Sequence, residues 1–201
     1  MQSSCTLSMR AAAEGLLAGF ATMDRDMADH CRRGSGVAGG LARAAGLSVR
    51  EITITEVAGL LHDIGKFRVP ARILRKPGPL TPGERSLIQE HSEMGSEIVS
   101  RVGALRSFAA AVPHPHERWD GTGYPGRLAG EEIPFVARII AVVDAWDAMV
   151  QPRGYAPTRS IEEARAEILR GAGSQFDPAL AELFVHEVVD ERVDRALLMA
   201  A

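Results

Sequence analysis

The chain has 201 residues, of which 46% are hydrophobic and 24% are charged, a composition that excludes an intrinsically disordered protein. The formal net charge of −3 excludes a global basic field of the kind that attracts nucleic acid. No apolar run reaches the length of about 18 residues that a membrane-spanning helix needs. Cys5 and Cys31 are far apart in sequence, and we expect a reduced, cytoplasmic protein.

Helical signals recur along the chain, whereas no alternating apolar–polar run of strand length stands out. Apolar residues at a helical period predict helices over 9–27 and 30–45, and another helix that Gly65 ends. Further helix starts, marked by capping residues or by proline, are predicted at four places: Thr81, Pro134, Ser160 and Asp177. The sequence therefore predicts an all-α domain.

Two segments, 67–80 and 113–125, interrupt this pattern and are predicted to be loops. The first contains three prolines. The second concentrates polar side chains that could do chemistry: His114, His116, Glu117, Asp120 and Tyr124. A long irregular segment between helices is where binding and catalytic residues are often found.

Several histidines and acids fall on the apolar faces of the predicted helices. They are His30 with Asp26 one turn before it, His62 and Asp63, His91, and Asp144 with Asp147 one turn after it. A lone histidine in such a place is more often a core residue, but a buried carboxylate needs a cation, donors or a metal. Imidazole and carboxylate together suit divalent Fe, Mn, Co, Ni or Zn, which helical bundles hold in their cores. Spacing alone leaves a metal site and ordinary core residues as open alternatives.

Two ordered motifs favour the metal site. Residues 60–66 read LLHDIGK and residues 116–125 read HERWDGTGYP. With the stretches at 76–81, 130–134, 137–144 and 175–178, they resemble the HD-GYP branch of the HD phosphohydrolase superfamily, from about His30 to Val189. The resemblance implies an HD-domain helical bundle with a metal site in its core. It places an N-terminal helical segment at 1–29, the HD-GYP domain at 30–190 and a C-terminal tail at 191–201.

The resemblance also implies hydrolysis of cyclic di-GMP to pGpG, with cleavage on to GMP left open. Two divalent ions, Fe or Mn, and an optional third are expected at ligands that match by position: His30, His62, Asp63, His91, His116 and Asp144, with Asp26, His114 and Asp147 as further candidates. Asp63 is expected to bridge two ions and to be catalytic. Lys66, one of only two lysines in the chain, matches a residue that contacts the scissile phosphate, and Arg153 matches one that holds the nucleotide. Gly123, Tyr124 and Pro125 are expected to form a structural loop or a contact for a partner protein.

The chain departs from the family where two consecutive histidines usually ligate metal. Here the pair is Pro115 and His116, with a histidine displaced to His114. Proline offers no donor atom, so the second ion loses a ligand unless His114 replaces it. A residue before proline is biased towards extended geometry, which restricts such a replacement.

Smaller departures from the family pattern also indicate a weakened site. Ala156 stands where a basic residue often holds the ligand, and Gly34 and Gly36 interrupt a helix at about 1 kcal/mol each relative to alanine. We therefore expect a recognisable but partly eroded site.

The alternative function is that of a catalytically weak signalling module that binds the nucleotide or a partner protein. A hydrolase of dNTPs or alarmones is a third interpretation, against which the 120–125 loop argues. A nucleic acid polymer or a membrane is not expected as a partner.

Overall fold

A computed structural model describes residues 2–109, 114–152 and 158–189. Across these ranges the regular structure is helical and no β-strand forms, which confirms the predicted all-α class. The α-helices are α1 (Gln2–Ala21), α2 (Arg25–Ala44), α3 (Val49–Leu61), α4 (Ala71–Leu74), α5 (Pro82–Gln89), α6 (His91–Ser100), α7 (Phe135–Val150), α8 (Ile161–Arg170) and α9 (Pro178–Leu183). Short 3₁₀ turns lie at Ile64–Arg68, Gly103–Phe108 and Gly130–Glu132, and a π-helical segment follows α9 at Phe184–Val189. In the ranges described, no helix has the length and apolar character to cross a membrane.

The predicted capping boxes form as expected. The Thr81 hydroxyl accepts a hydrogen bond from the Glu84 amide at 3.2 Å, and the Glu84 carboxylate accepts one from the Thr81 amide at 2.8 Å. Ser160 and Glu163 repeat the arrangement at the start of α8. The Asp177 carboxylate caps α9. Each start uses side chains to satisfy amides that have no partner inside the helix.

Three element boundaries differ from the sequence expectation. The helix predicted over 9–27 is two helices, because Asp24 caps α2 by accepting a hydrogen bond from the Met27 amide at 3.1 Å. The α-helix predicted to end at Gly65 ends at Leu61, and a 3₁₀ turn continues it. The segment 67–80 is not entirely loop, since α4 forms within it directly after Pro70.

Helix α2 belongs to both hydrophobic clusters of the core. Its C-terminal half contributes Val37 and Leu41 to a cluster with α7, α9 and the π-helical segment. Its N-terminal half contributes Ala28 and Cys31 to a cluster with α1 and α3. His30 lies between these last two residues in sequence and is itself buried. The central position of α2 therefore carries a titratable side chain into the interior.

Two glycines permit close approach between helices that carry candidate ligands. A Cβ atom on Gly59 of α3 would lie 3.0 Å from the Ser35 Cα atom of α2. A Cβ atom on Gly65 would lie 1.8 Å from the carbonyl oxygen of His91, so the 3₁₀ turn after α3 touches the first turn of α6. Helix α2 itself continues unbroken through Gly34 and Gly36, so the expected interruption of the helix at these glycines is wrong.

Candidate metal centre

The first group of potential ligands comes from three helices. His30 lies on α2, His62 caps the C-terminus of α3 and Asp144 lies on α7. One donor atom from each lies within 4.8 Å of the other two. The Asp144 Oδ1 atom is 3.2 Å from His30 Nε2 and 3.9 Å from His62 Nε2. Packing of α2, α3 and α7 thus builds a compact group of two imidazoles and a carboxylate.

The second group contains Asp63, His91 and His116, again with one donor atom from each within 4.8 Å of the others. His91 Nε2 lies 3.3 Å from Asp63 Oδ1 and 2.9 Å from His116 Nε2. His91 begins α6, whereas His116 comes from the irregular segment that the sequence marked as functional. The six ligands expected from the sequence are therefore brought together as two triads.

Asp63 stands between the two triads. Its Oδ1 atom faces His91 and His116, while its Oδ2 atom lies 3.5 Å from His62 Nε2 and 3.9 Å from His30 Nε2. The Lys66 ammonium donates a hydrogen bond to Oδ2 at 2.6 Å. One buried carboxylate thus presents an oxygen to each group.

The hydrogen bonds of the imidazoles indicate how the donor atoms are presented. His62 Nδ1 lies 2.9 Å from the Gly59 carbonyl, and His91 Nδ1 lies 2.5 Å from the Ile88 carbonyl. A carbonyl only accepts, so Nδ1 carries the proton and Nε2 presents a lone pair. Among the described residues, His62 Nε2 and Asp63 Oδ1 are buried without a hydrogen-bond partner. Buried polar atoms need a partner, and this donor set fits a divalent transition metal.

Burial and charge set the protonation of the two groups. Burial alone would raise the pKa of Asp63, but the Lys66 ammonium and the neighbouring imidazoles hold that pKa well below its usual range. Burial lowers the pKa of His62, and it lowers the pKa of His116 to about 4. Burial opposes protonation of His30 too, yet hydrogen bonds to Asp144 and Asp147 raise its pKa to about 9. A metal at His30 Nε2 must therefore displace a proton, as ligand binding generally requires.

Three other candidates from the sequence lie outside both triads. Asp26 is exposed on the wall of a cleft beside His30. Asp147 lies 2.5 Å from His30 Nδ1, on the side of the ring away from the first triad. His114 Nδ1 is 3.6 Å from Glu117 Oε1, and the residue lines a separate cavity of about 340 Å³. Arg153 and Ala156 fall outside the described residues.

The loop after His116 packs against the second triad. The half-buried ring of Tyr124 stacks on the His116 imidazole, with ring centroids 5.1 Å apart and planes 24° apart. Glu117, for which the sequence indicated no particular role, accepts hydrogen bonds from the amides of Gly126 at 2.6 Å and Leu128 at 3.2 Å. Glu117 directly follows His116 and is buried, so it ties the loop to the metal-ligand candidate beside it.

Replacing Glu117 by alanine is expected to lower the free energy of unfolding by about 1–3 kcal/mol, because two loop amides lose a charged acceptor. Urea denaturation monitored by circular dichroism measures the change. Glu131→Ala, an exposed position in the following turn, is the matched control and is expected to stay within about 0.5 kcal/mol of the parent. Equal stability of the two variants would contradict the anchoring role of Glu117.

A cleft of about 650 Å³ opens next to the first triad. This volume lies in the range of small-molecule sites. Its wall includes His30 together with basic, acidic and polar residues: Asp24, Asp26, Asp29, Arg33, Arg75, Lys76 and Gln151. Pro152, the residue before the undescribed range 153–157, also lines it. The cleft gives a charged ligand access to His30.

A family model described as HD domain matches residues 21–180. The chain belongs to the HD domain family, and its identification as an HD-GYP domain from the two motifs is confirmed. HD domains bind divalent metal ions, and the two triads are the candidate ligand groups in this chain.

Two curated relatives are phosphodiesterases. The cyclic di-GMP phosphodiesterase of Thermotoga maritima is 40% identical over 164 residues, which are 81% of this chain and 45% of that protein. The 3′3′-cGAMP-specific phosphodiesterase 2 of Vibrio cholerae is 40% identical over 148 residues, 72% of this chain and 28% of that protein. The chain thus spans less than half the length of either relative.

A solved structure supports the fold independently. An HDG"Y"P protein from Bdellovibrio bacteriovorus superposes with a TM-score of 0.65 at 17% identity, over 92% of this chain and 63% of that one. At this identity the likeness concerns the fold alone. The HD-domain helical bundle expected from the resemblance is confirmed.

Proposed function

We propose that this chain is a metal-dependent phosphodiesterase domain that hydrolyses cyclic di-GMP to pGpG, with GMP as a further product. The observation that carries the proposal is the pair of His/Asp triads joined by the two oxygens of Asp63. The names of the two curated relatives support a cyclic dinucleotide as the substrate class.

The first ion is proposed to be held by His30, His62, Asp63 and Asp144, and the second by Asp63, His91 and His116. Fe and Mn are the proposed metals, since imidazole and carboxylate ligands suit both. When bound, such ions supply Lewis acidity and an activated water at neutral pH. Asp26, on the cleft wall beside His30, is the proposed position for an optional third ion.

Other side chains are proposed to bind the anionic substrate and to stabilise the charge that develops on it. The cleft wall carries Arg33, Arg75 and Lys76 beside Asp24, Asp26 and Asp29, and the three cations are the groups proposed to contact the phosphodiesters. Lys66 lies at the inner end of the site, on Asp63, where its ammonium can stabilise charge on a phosphoryl oxygen. Arg153, next in sequence to Pro152 at the edge of the cleft, is proposed to hold the nucleotide.

The direct test incubates the purified chain with cyclic di-GMP and, in parallel, 3′3′-cGAMP, after anaerobic loading with Fe²⁺ or Mn²⁺. Chromatography of the products is expected to show pGpG, with faster turnover of cyclic di-GMP. Turnover of neither dinucleotide with either metal contradicts the proposal. Preferential turnover of 3′3′-cGAMP would keep the reaction class and correct the substrate.

Replacing Lys66 by alanine is expected to lower turnover by about 10²-fold, the typical effect of removing one group that stabilises transition-state charge. Metal content is expected to be unchanged, because both Asp63 oxygens remain. Arg68→Ala is the matched control, since Arg68 lies in the same 3₁₀ turn but pairs with exposed Glu97. An unchanged rate in Lys66→Ala would remove this lysine from the mechanism.

A second candidate function is a signalling module with weak or no catalysis that binds the nucleotide or a partner protein through the 123–125 loop. The second triad supports it, because Pro115 leaves that group with three residues and His114 lies elsewhere. Metal analysis separates the two functions. Two or more equivalents per chain favour the enzyme, whereas none after supplementation favours the module.

A further inference from the structure

His30 is contacted through both ring nitrogens by residues of one helix. Its Nε2 atom lies 3.2 Å from Asp144 Oδ1, within the first triad. Its Nδ1 atom lies 2.5 Å from Asp147 Oδ2, one turn further along α7. The side chains of His30 and Asp147 are 6% and 7% exposed. Asp147 thus occupies the outer nitrogen and leaves the inner one directed at the triad.

Arg33 fixes the orientation of Asp147. The Arg33 Nε atom donates to Asp147 Oδ1 at 3.0 Å, and Nη2 donates to Oδ2 at 3.1 Å. Two parallel hydrogen bonds of this kind restrict a carboxylate in direction as well as in place. Arg33 lies one turn after His30 on α2, so α2 and α7 each contribute two residues spaced by one turn.

The guanidinium also compensates the charge of a buried acid. The Asp147 side chain is buried, and an ionised carboxylate in such a place needs a cationic or donor partner. Arg33 supplies it from the cleft side, where its side chain is 42% exposed. Arg33 donates hydrogen bonds to both oxygens of Asp147, and Oδ2 also lies against His30 Nδ1. Asp147 is therefore oriented to accept a hydrogen bond from the Nδ1–H group of His30.

We propose that Arg33 and Asp147 form a positioning pair that holds His30 in the tautomer and ring orientation in which Nε2 binds the first metal. The proposal rests on the proposed function, since it takes the first triad as a metal site. Carboxylates that receive the second ring N–H of a ligating histidine typically contribute 10–100-fold to metal affinity. The pair acts through His30, which is a proposed ligand of the first ion alone.

The test measures Zn²⁺ affinity by chelator competition and follows the His30 Nδ1 proton by NMR of the ¹⁵N-histidine-labelled, Zn²⁺-loaded full chain. Asp147→Ala is expected to weaken the first site by about 10–100-fold and to abolish the exchange-protected Nδ1–H signal of His30. The second site is expected to keep its affinity. Arg33→Ala is expected to have a smaller effect in the same direction, within about tenfold. Glu167→Gln, which alters only exposed ion pairs with Arg159 and Arg170, is the control.

His30→Ala distinguishes a failure of the positioning pair from a failure of the metal site itself. If it removes the first ion while Asp147→Ala changes neither affinity nor the Nδ1–H signal, the positioning pair is overturned and the metal site stands. If His30→Ala itself leaves Zn²⁺ binding intact, the first triad is not the site and the proposed function fails with it. Should Asp147→Ala not fold, Asp147→Leu has a larger side chain to fill the space and cannot accept a hydrogen bond. An unchanged affinity and signal in that variant overturn the pair equally.

Discussion

Replacing Asp63 by alanine is expected to remove both metal ions and to lower hydrolysis of cyclic di-GMP by about 10³-fold or more, since bound metals supply several kcal/mol of transition-state stabilisation. The reason lies in the two oxygens of the carboxylate. Oδ1 is 3.3 Å from His91 Nε2 in one triad, and Oδ2 is 3.5 Å from His62 Nε2 in the other. Metal content by mass spectrometry and product analysis provide the two measurements.

Asp63→Asn accompanies this variant because it retains the size of the side chain at a position that is 1% exposed. It is expected to lose metal as well, since a neutral amide replaces the charge that holds the ions. Glu167→Ala, on the exposed face of α8, controls for loss of a negative charge. Full metal content in Asp63→Ala would show that the ligand assignment is wrong.

Restoring the histidine pair with Pro115→His is expected to raise the affinity of the second site by at least about tenfold, since it returns an imidazole donor to a three-residue group. Metal content should approach two per chain at a lower free metal concentration than in the parent, and turnover should rise with it. Isothermal titration with Mn²⁺, combined with the hydrolysis assay, measures both.

His114→Ala tests the competing account in which the displaced histidine already completes the second site. His114 faces Glu117, with 3.6 Å between Nδ1 and Oε1, and its carbonyl accepts a hydrogen bond from the Glu117 amide at 3.1 Å. This turn directs it to a cavity shared with Glu93 and Ser96. We therefore expect His114→Ala to leave metal stoichiometry unchanged. A lost ion in this variant, with no gain in Pro115→His, would reverse the assignment.

The features that sequence reasoning predicted correctly are local or carried by a motif. A capping box involves residues three apart, so Thr81–Glu84 and Ser160–Glu163 could be identified without knowledge of tertiary structure. The all-α class followed from similar signals. The two motifs contain three of the six triad residues, His62, Asp63 and His116, and the family resemblance indicated the other three by position. Only the packing of α2, α3, α6 and α7 shows how the six divide into groups.

The features that were missed depend on contacts between distant parts of the chain. Arg33 and Asp147 are 114 residues apart, and no periodicity links them. The spacing of Asp147 from Asp144 suited a metal ligand equally well, and only the position of the His30 ring shows which nitrogen it meets. The role of Glu117 depends on amides nine and eleven residues later, in a loop of irregular geometry.

The contact at Gly65 fixes the backbone geometry of the candidate metal centre independently of its ligand side chains. Because the backbone of the 3₁₀ turn rests against the backbone of α6, the spacing between Asp63 and His91 is set by main-chain atoms, and a Cβ atom at position 65 would meet the His91 carbonyl oxygen and the Gly95 amide nitrogen. Exchanging a ligand side chain, as at Pro115, leaves that spacing in place. A substitution of a ligand therefore changes metal occupancy within an intact framework, whereas a side chain at position 65 forces the 3₁₀ turn away from α6 and with it Asp63 from His91.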